Sequence, residues 1–302
     1  MKKKFKGIYA ALVTPFVGEE LAIEKFKDNV RKYNTFDLEG YVVLGSTGEC
    51  VSLSDQESKS LVAAAKETAG RGKRVVAGTA RESTKLTIEF TNQLAGLGID
   101  AALVRPPSYY KSKMTREVLN RHYLAVADQS KVPIIIYNIP QNTGISLESQ
   151  LIIELSKHPN IIGLKESSGN LAFLGEVVPQ VPDDFSYLVG SGSVFLPGLV
   201  MGASGAILSV ANAAPALCVK IFRLFNEGKI IEAARLQHDL ITLNKAIMET
   251  YGIPGLKFSL DAQGYYGGPC RLPLLPIEEK GKAELRGLLK KLGLKPRKRR
   301  PK

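Results

Sequence analysis

Lys165 closes the apolar run Ile161-Ile162-Gly163-Leu164-Lys165. An ammonium carried into such surroundings loses hydration worth on the order of several kcal/mol unless it finds a counter-charge or gives up its proton. An uncharged amine is the nucleophile that attacks a ketone and condenses to a Schiff base. The structural alternative is a strand-end lysine paired with Glu49, Glu166 or Asp183, and taken alone the residue leaves both readings open. Two further groups bear on it. Tyr137 ends the preceding run in Ile136-Tyr137-Asn138-Ile139-Pro140. Making and dehydrating a carbinolamine moves protons, which a phenol can pass if another hydroxyl accepts and returns them. The turn Gly45-Ser46-Thr47-Gly48-Glu49 supplies such a hydroxyl in Thr47, and its glycines expose N–H groups able to hold a carboxylate. Singly, Tyr137 reads as a packed aromatic and the turn as an ordinary tight loop. Together, each at the end of a strand-like run, they point to covalent chemistry on an oxo acid.

Other chemistries lack their residues. The three histidines, His122, His158 and His238, show no H-E-x-x-H or paired-ligand spacing, so no metal is expected. No G-x-S-x-G elbow exists for a serine hydrolase. Gly72-Lys73, Gly228-Lys229 and Gly281-Lys282 lack the Ser or Thr of a phosphate loop. Gly96-x-Gly98-x-x-Ala101 precedes a strand-like run instead of following one, so it offers no helix N-terminus to a pyrophosphate. No cofactor is expected.

The elements that must position these groups recur at a coarse beat. Strand-like runs cover 7–16, 40–47, 74–80, 101–107, 133–140, 161–168, 185–192 and 203–210. Their near-continuous hydrophobicity suits parallel strands covered on both faces. Helical patterns lie between most of them, including a capping box, Ser54 with Glu57, opening a helix to about Ala69, and an amphipathic stretch over Thr115–Lys131. Eight such units predict a closed (β/α)8 barrel of the TIM type, with an open doubly wound sheet as the rival. Helical segments near 214–227, 229–250, 254–263 and 278–291 follow, so the barrel is expected to occupy 1–225 and a C-terminal helical extension 226–294, with a basic tail at 295–302. In such a barrel chemistry belongs where strands end and loops begin. Besides the residues already named, this directs attention to Thr14, Arg105, Tyr109, Tyr110, Asn138, Ser191 and Asn212.

Composition sets the remaining bounds. With 302 residues, 44% hydrophobic and 23% charged, the chain is ordinary globular material, neither disordered nor collagen-like. Its net charge of +12 is mostly terminal, because residues 1–6 carry four basic groups and 295–302 carry six, with no acid in either. The body is left near about +2, so nucleic acid is not an expected partner, and the ends read as solvated charge runs. Cys50, Cys218 and Cys270 are odd in number and far apart, which suggests free thiols in a reducing compartment. The longest apolar stretch, from Ala206 to Val219, is interrupted by Asn212 and Pro215 and is too short for a membrane span. Strand-like sequence begins by Ile8, leaving no room for a leader, so a cytoplasmic protein is expected.

The strings GIYAALVTPF, GSTGE, YNIPQNTG, GLKESSGN and GSGSVFLPGLVMGASGAILSVAN resemble the dihydrodipicolinate synthase/N-acetylneuraminate lyase superfamily across essentially the whole chain before the basic tail. The resemblance implies a barrel with a helical extension, a homotetramer built as a dimer of dimers, and pyruvate as the keto-acid substrate. It implies Lys165 as the Schiff-base lysine, Tyr137 as the proton-shuttling tyrosine, and Ser46 and Thr47 as the paired hydroxyl residues. The tyrosine given across a subunit interface falls on Tyr109 or Tyr110, and Ile207 on the position whose carbonyl lies near the lysine.

Departures bear on the subfamily. Asn142 stands where dihydrodipicolinate synthases carry an arginine that grips the aldehyde's carboxylate, and an amide cannot reproduce that bidentate contact. Asn142, PSYYKSKM and GIPGLKFSLDAQGYYGGPCR instead resemble 4-hydroxy-2-oxoglutarate aldolases, although those enzymes have Ser-Asn at the Ser46-Thr47 turn. Arg105 is a second candidate carboxylate clamp, against an outward-facing structural arginine. The reading expected from sequence is therefore a class I pyruvate aldolase cleaving 4-hydroxy-2-oxoglutarate. Its alternatives are dihydrodipicolinate synthase, a sugar-acid aldolase or dehydratase, and a non-catalytic keto-acid-binding barrel.

Overall fold

Eight short strands, nearly every residue of them buried, run parallel and close on themselves in a computed structural model that describes residues 5–294. They are β1 (Gly7–Ala11), β2 (Gly40–Val43), β3 (Arg74–Gly78), β4 (Ala101–Val104), β5 (Ile134–Asn138), β6 (Ile161–Glu166), β7 (Ser186–Val189) and β8 (Gly205–Leu208). Spatial order follows chain order, and the ring closes where Tyr9 of β1 faces Ile207 of β8. This is the expected TIM-type barrel. The basic tail at 295–302 lies outside the described residues, as do residues 1–4.

The apolar runs read from sequence are longer than the strands. β1 stops at Ala11, and the rest of its run leaves the ladder toward a small antiparallel ribbon, Phe16–Val17 against Glu20–Leu21. β2 likewise stops at Val43, four residues before its run ends. Loop residues packed on the barrel mouth are as buried as strand residues, so hydrophobicity alone does not mark where backbone pairing stops.

Within each strand the side chains alternate. Val76, Leu103, Ile135, Leu188 and Ile207 point into the barrel with Tyr9. Val75, Ile134, Ile136 and Leu164 point out to the helices. That outer layer is formed by α1 (Ile23–Tyr33), α2 (Asp55–Thr68), α3 (Thr84–Ala95), α4 (Arg116–Gln129), α5 (Ser149–Leu155), α6 (Leu171–Val177), α7 (Phe195–Val200) and α8 (Pro215–Asn226). The Ser54–Glu57 capping box is formed in both directions at the start of α2. Thr115 caps α4 by accepting the Val118 N–H. In each case a side chain satisfies a helix N–H that has no partner within the helix.

Beyond α8 lie α9 (Ile230–Asn244), a π-helical turn Lys245–Thr250, α10 (Gly252–Asp261) and α11 (Glu279–Lys291). The helix expected over 229–250 thus changes pitch at Lys245. Gly252, with φ +62°, makes the left-handed step that opens α10 in a new direction. The extension is docked by polar contacts as well as apolar ones. Buried Gln237 on α9 donates to the Gly192 carbonyl (2.8 Å) and accepts the Leu196 N–H (3.1 Å). None of the described helices is long and apolar enough to cross a membrane. All three cysteines are free.

Candidate active site

Strand register sets Tyr137 beside Lys165 and Asn138 beside Glu166 across the β5–β6 ladder. Tyr137 belongs to the inward-facing layer, and the Lys165 ammonium nitrogen lies 4.1 Å from its ring centroid. Lys165 is only 3% exposed and makes no ion pair among the described residues. The carboxylates that might have neutralised it are committed elsewhere. Glu49 lies 2.5 Å from Lys257 Nζ, with both side chains 1% exposed. Glu166 accepts the backbone N–H groups of Ser168 (2.7 Å) and Gly169 (3.3 Å) and the Asn138 side-chain amide (3.2 Å). Burial pushes the Glu166 carboxyl above its ordinary value, with those hydrogen bonds opposing the shift. Glu166 therefore shapes the 167–169 loop and leaves the lysine beside it without a partner charge.

The hydroxyl-bearing turn is strained at both ends. Leu44 (φ +57°) and Glu49 (φ +54°) both adopt the left-handed conformation that non-glycine residues avoid. Between them Ser46–Gly48 form a single 3₁₀ turn. Gly78 at the end of β3 makes room for the bend, since a side chain there would collide with the Leu44 carbonyl. Thr14 donates to the Gly48 carbonyl (2.6 Å), so this sequence candidate supports the turn. The Thr47 hydroxyl is 2.5 Å from that of Ser209, which follows β8. Asn212 fixes the Ser209 loop by donating to the Ala11 (2.7 Å) and Ser209 (2.8 Å) carbonyls.

A cleft of about 1020 Å³ opens at this end of the barrel and is lined by Lys165, Tyr137, Ser46, Thr47 and Asn142 together with Ser191 and Ser209. A smaller cavity of about 280 Å³ shares Ser46 and Tyr137 and extends to Arg105 and Glu82. Arg105 does not line the main cleft. Its guanidinium is 2.9 Å from Glu82, whose carboxylate also accepts the N–H groups of Ser108 and Tyr109. That ion pair ties Arg105 to the fourth βα loop. Thr47, the hydroxyl expected to exchange protons with Tyr137, pairs with Ser209. Tyr109 and Tyr110, 78% and 70% exposed, stack edge to face away from the cleft. Ile207 is buried in the inward layer with Tyr137 and does not line the cleft.

Sequence reasoning missed Ser209, which follows β8, and, from the C-terminal part of the chain, Met248, Glu249 and Thr250 of the π-helical turn with residues 251–254 and 273–275, all of which line the cleft. It also missed Lys257, although the signal that found Lys165 was present there too: a lone lysine inside an apolar string, Gly252-Ile253-Pro254-Gly255-Leu256-Lys257-Phe258. No group of three or more side chains able to hold a metal ion occurs among the described residues.

A barrel mouth that buries a lysine against the ring of a tyrosine, with paired hydroxyls at the rim of the same cleft, is the layout of an aldolase-type, Schiff-base-forming lyase. The chain belongs to the Dihydrodipicolinate synthetase family, which matches it over residues 4–292. It is 35% identical over 291 residues to the 4-hydroxy-tetrahydrodipicolinate synthase of Methanothrix thermoacetophila, covering 95% of this chain and 97% of that one. It is also 35% identical over 289 residues to that of Listeria innocua, covering 94% and 98%. Among solved structures, the dihydrodipicolinate synthase of Thermotoga maritima superposes with a TM-score of 0.92 at 30% identity, over 97% of this chain and all of that one.

Proposed function

We propose that the protein joins pyruvate to an aldehyde, or releases pyruvate from the adduct, through an imine on Lys165. The observation that carries this reading is Lys165 itself, almost wholly buried at the wall of the cleft, without an ion pair among the described residues and in contact with Tyr137. Lys165 Nζ, as the free amine, attacks C2 of pyruvate, and loss of the oxygen as water leaves the imine. Removal of a C3 proton gives the enamine, which bonds to the aldehyde carbon, and water then releases the product from Lys165. Tyr137 passes the protons, exchanging them with the Thr47–Ser209 hydroxyl pair once substrate bridges the gap. Ser46, Thr47 and the N–H groups of their turn hold the C1 carboxylate, an orientational and electrostatic contribution.

The relatives' activity favours aspartate semialdehyde as the aldehyde, making the reaction that of 4-hydroxy-tetrahydrodipicolinate synthase. Asn142 in the cleft favours a second reading, retro-aldol cleavage of 4-hydroxy-2-oxoglutarate to pyruvate and glyoxylate, because an amide stands there as the resemblance gives it for those aldolases and not the arginine it gives for dihydrodipicolinate synthases. Borohydride reduction in the presence of pyruvate, read by peptide mass, is expected to label Lys165, and an unlabelled Lys165 overturns the mechanism. Steady-state assays with the two substrates then separate the readings by kcat/KM. The exposed Tyr109–Tyr110 pair supports a homotetramer in which it meets a partner subunit, and sedimentation measures that.

A further inference from the structure

We infer that Glu49, Lys257 and Arg271 form a latch through which the C-terminal extension holds the Ser46-Thr47 turn in its working shape. They are positioning residues, acting on substrate only through Thr47 and Ser46, and the inference rests on the reading proposed above. The turn needs such a hold, since both residues flanking Gly45–Gly48 are left-handed and neither is glycine. Strain of this kind persists only where surrounding contacts over-determine it.

Those contacts converge on Glu49 from the far end of the chain. Lys257 of α10 reaches 2.5 Å from Glu49 Oε1, an ion pair in a site with almost no solvent. Lys257 also donates to the Pro269 carbonyl (2.7 Å) and lies 4.6 Å from the Phe16 ring centroid, so its own position is fixed. The Arg271 N–H donates to Glu49 Oε2 (3.0 Å). The Arg271 guanidinium forks onto Glu57 (2.6 and 3.1 Å) and donates to the Ser52 carbonyl (2.7 Å), gripping the segment just after the turn. One buried carboxylate thus joins a strained backbone at residue 49 to the Lys257 ammonium and to the Arg271 backbone N–H, both of which belong to the extension. A pair of this kind is seldom a large source of stability, because desolvation offsets most of its attraction. Fixing one geometry is the function left to it.

Single removal of Lys257 strands a buried carboxylate and endangers folding, so the deciding variant is the neutral, volume-matched pair Glu49→Gln/Lys257→Met. Its melting temperature is expected to stay within a few degrees of wild type. Its rates of borohydride-trapped adduct formation and of solvent exchange at the pyruvate methyl group are expected to fall at least tenfold. In its crystal structure, Thr47 Oγ1 and Ser209 Oγ are expected to separate beyond hydrogen-bonding distance. Wild-type trapping and exchange rates, or an unchanged turn in that crystal structure, overturn the latch. Should wild type itself neither trap nor exchange, the Schiff-base reading fails, and the crystallographic comparison still decides whether the pair holds the turn.

Discussion

Two lysines sit inside apolar strings in this chain, and only their partners separate them. Lys257 meets Glu49 and serves as a buried counter-charge, whereas Lys165 meets the face of Tyr137. Lys165→Met, which keeps the volume, is expected to remove every trace of borohydride-trapped pyruvate while leaving the melting temperature within a few degrees. Tyr137→Phe is expected to lower kcat by about 10²–10⁴, the range of a positioned proton-transfer group. Ser209→Ala leaves Thr47 without its partner and is expected to cost about fivefold in kcat, the equivalent of one ~1 kcal/mol hydrogen bond. A separate titration sits away from the cleft. Burial in α4 lowers His122 from 6.5 to about 4, with Nδ1 held 2.9 Å from Thr84 and Nε2 unpartnered. The unfolded chain therefore takes up that proton first as pH falls. The contribution of a neutral His122 is whole above about 6.5 and is lost toward pH 4, a change on the order of 3 kcal/mol. Chemical denaturation across that range is expected to show the loss in wild type and a flatter profile in His122→Gln.

Among the elements, α2 and the connector that follows α10 carry the most consequence for the site. The Ser54–Glu57 box was legible from spacing alone, since a Ser with Glu three residues on opens a helix by local bonds. That the same Glu57 also receives the Arg271 fork was not legible, because 214 residues separate them and no local pattern encodes the meeting. The fork drives the Glu57 carboxyl down to about 2. Its folded value lies below the unfolded one, so the stabilisation is present above about pH 4.5 and disappears as pH falls toward 2. Arg271→Ala is expected to lower stability by about 1 kcal/mol once solvent screening of the fork is allowed for, and to blunt that acid-limb loss in thermal melts. The strand ends were misjudged by several residues for a related reason. Val13, Leu44 and Ile139 are buried in mouth loops and carry the same apolar signal as ladder residues.

At the scale of the molecule, the division into a catalytic barrel at 1–225 and an extension at 226–294 understates how the site is built. The π-helical turn, the start of α10 and residues 273–275 wall the cleft, and Lys257 and Arg271 reach back to its turn. A chain ending at residue 225 is therefore expected to lack pyruvate methyl exchange even when recovered in soluble form, which NMR in D₂O measures directly. By itself, the sequence determined the eight-unit barrel and the family, and it singled out Lys165, Tyr137 and Thr47, which line one cleft, because continuous apolar runs, turn glycines and a lysine in an apolar run are written in neighbouring residues. Tertiary structure alone decided that Lys165 has no counter-ion among the described residues while Lys257 has one, that Thr47 bonds to Ser209, and that Arg105 is engaged by Glu82. Each of those outcomes depends on which of several chemically equivalent partners folding brings within about 3 Å, and that is a property of three-dimensional packing that no one-dimensional spacing records.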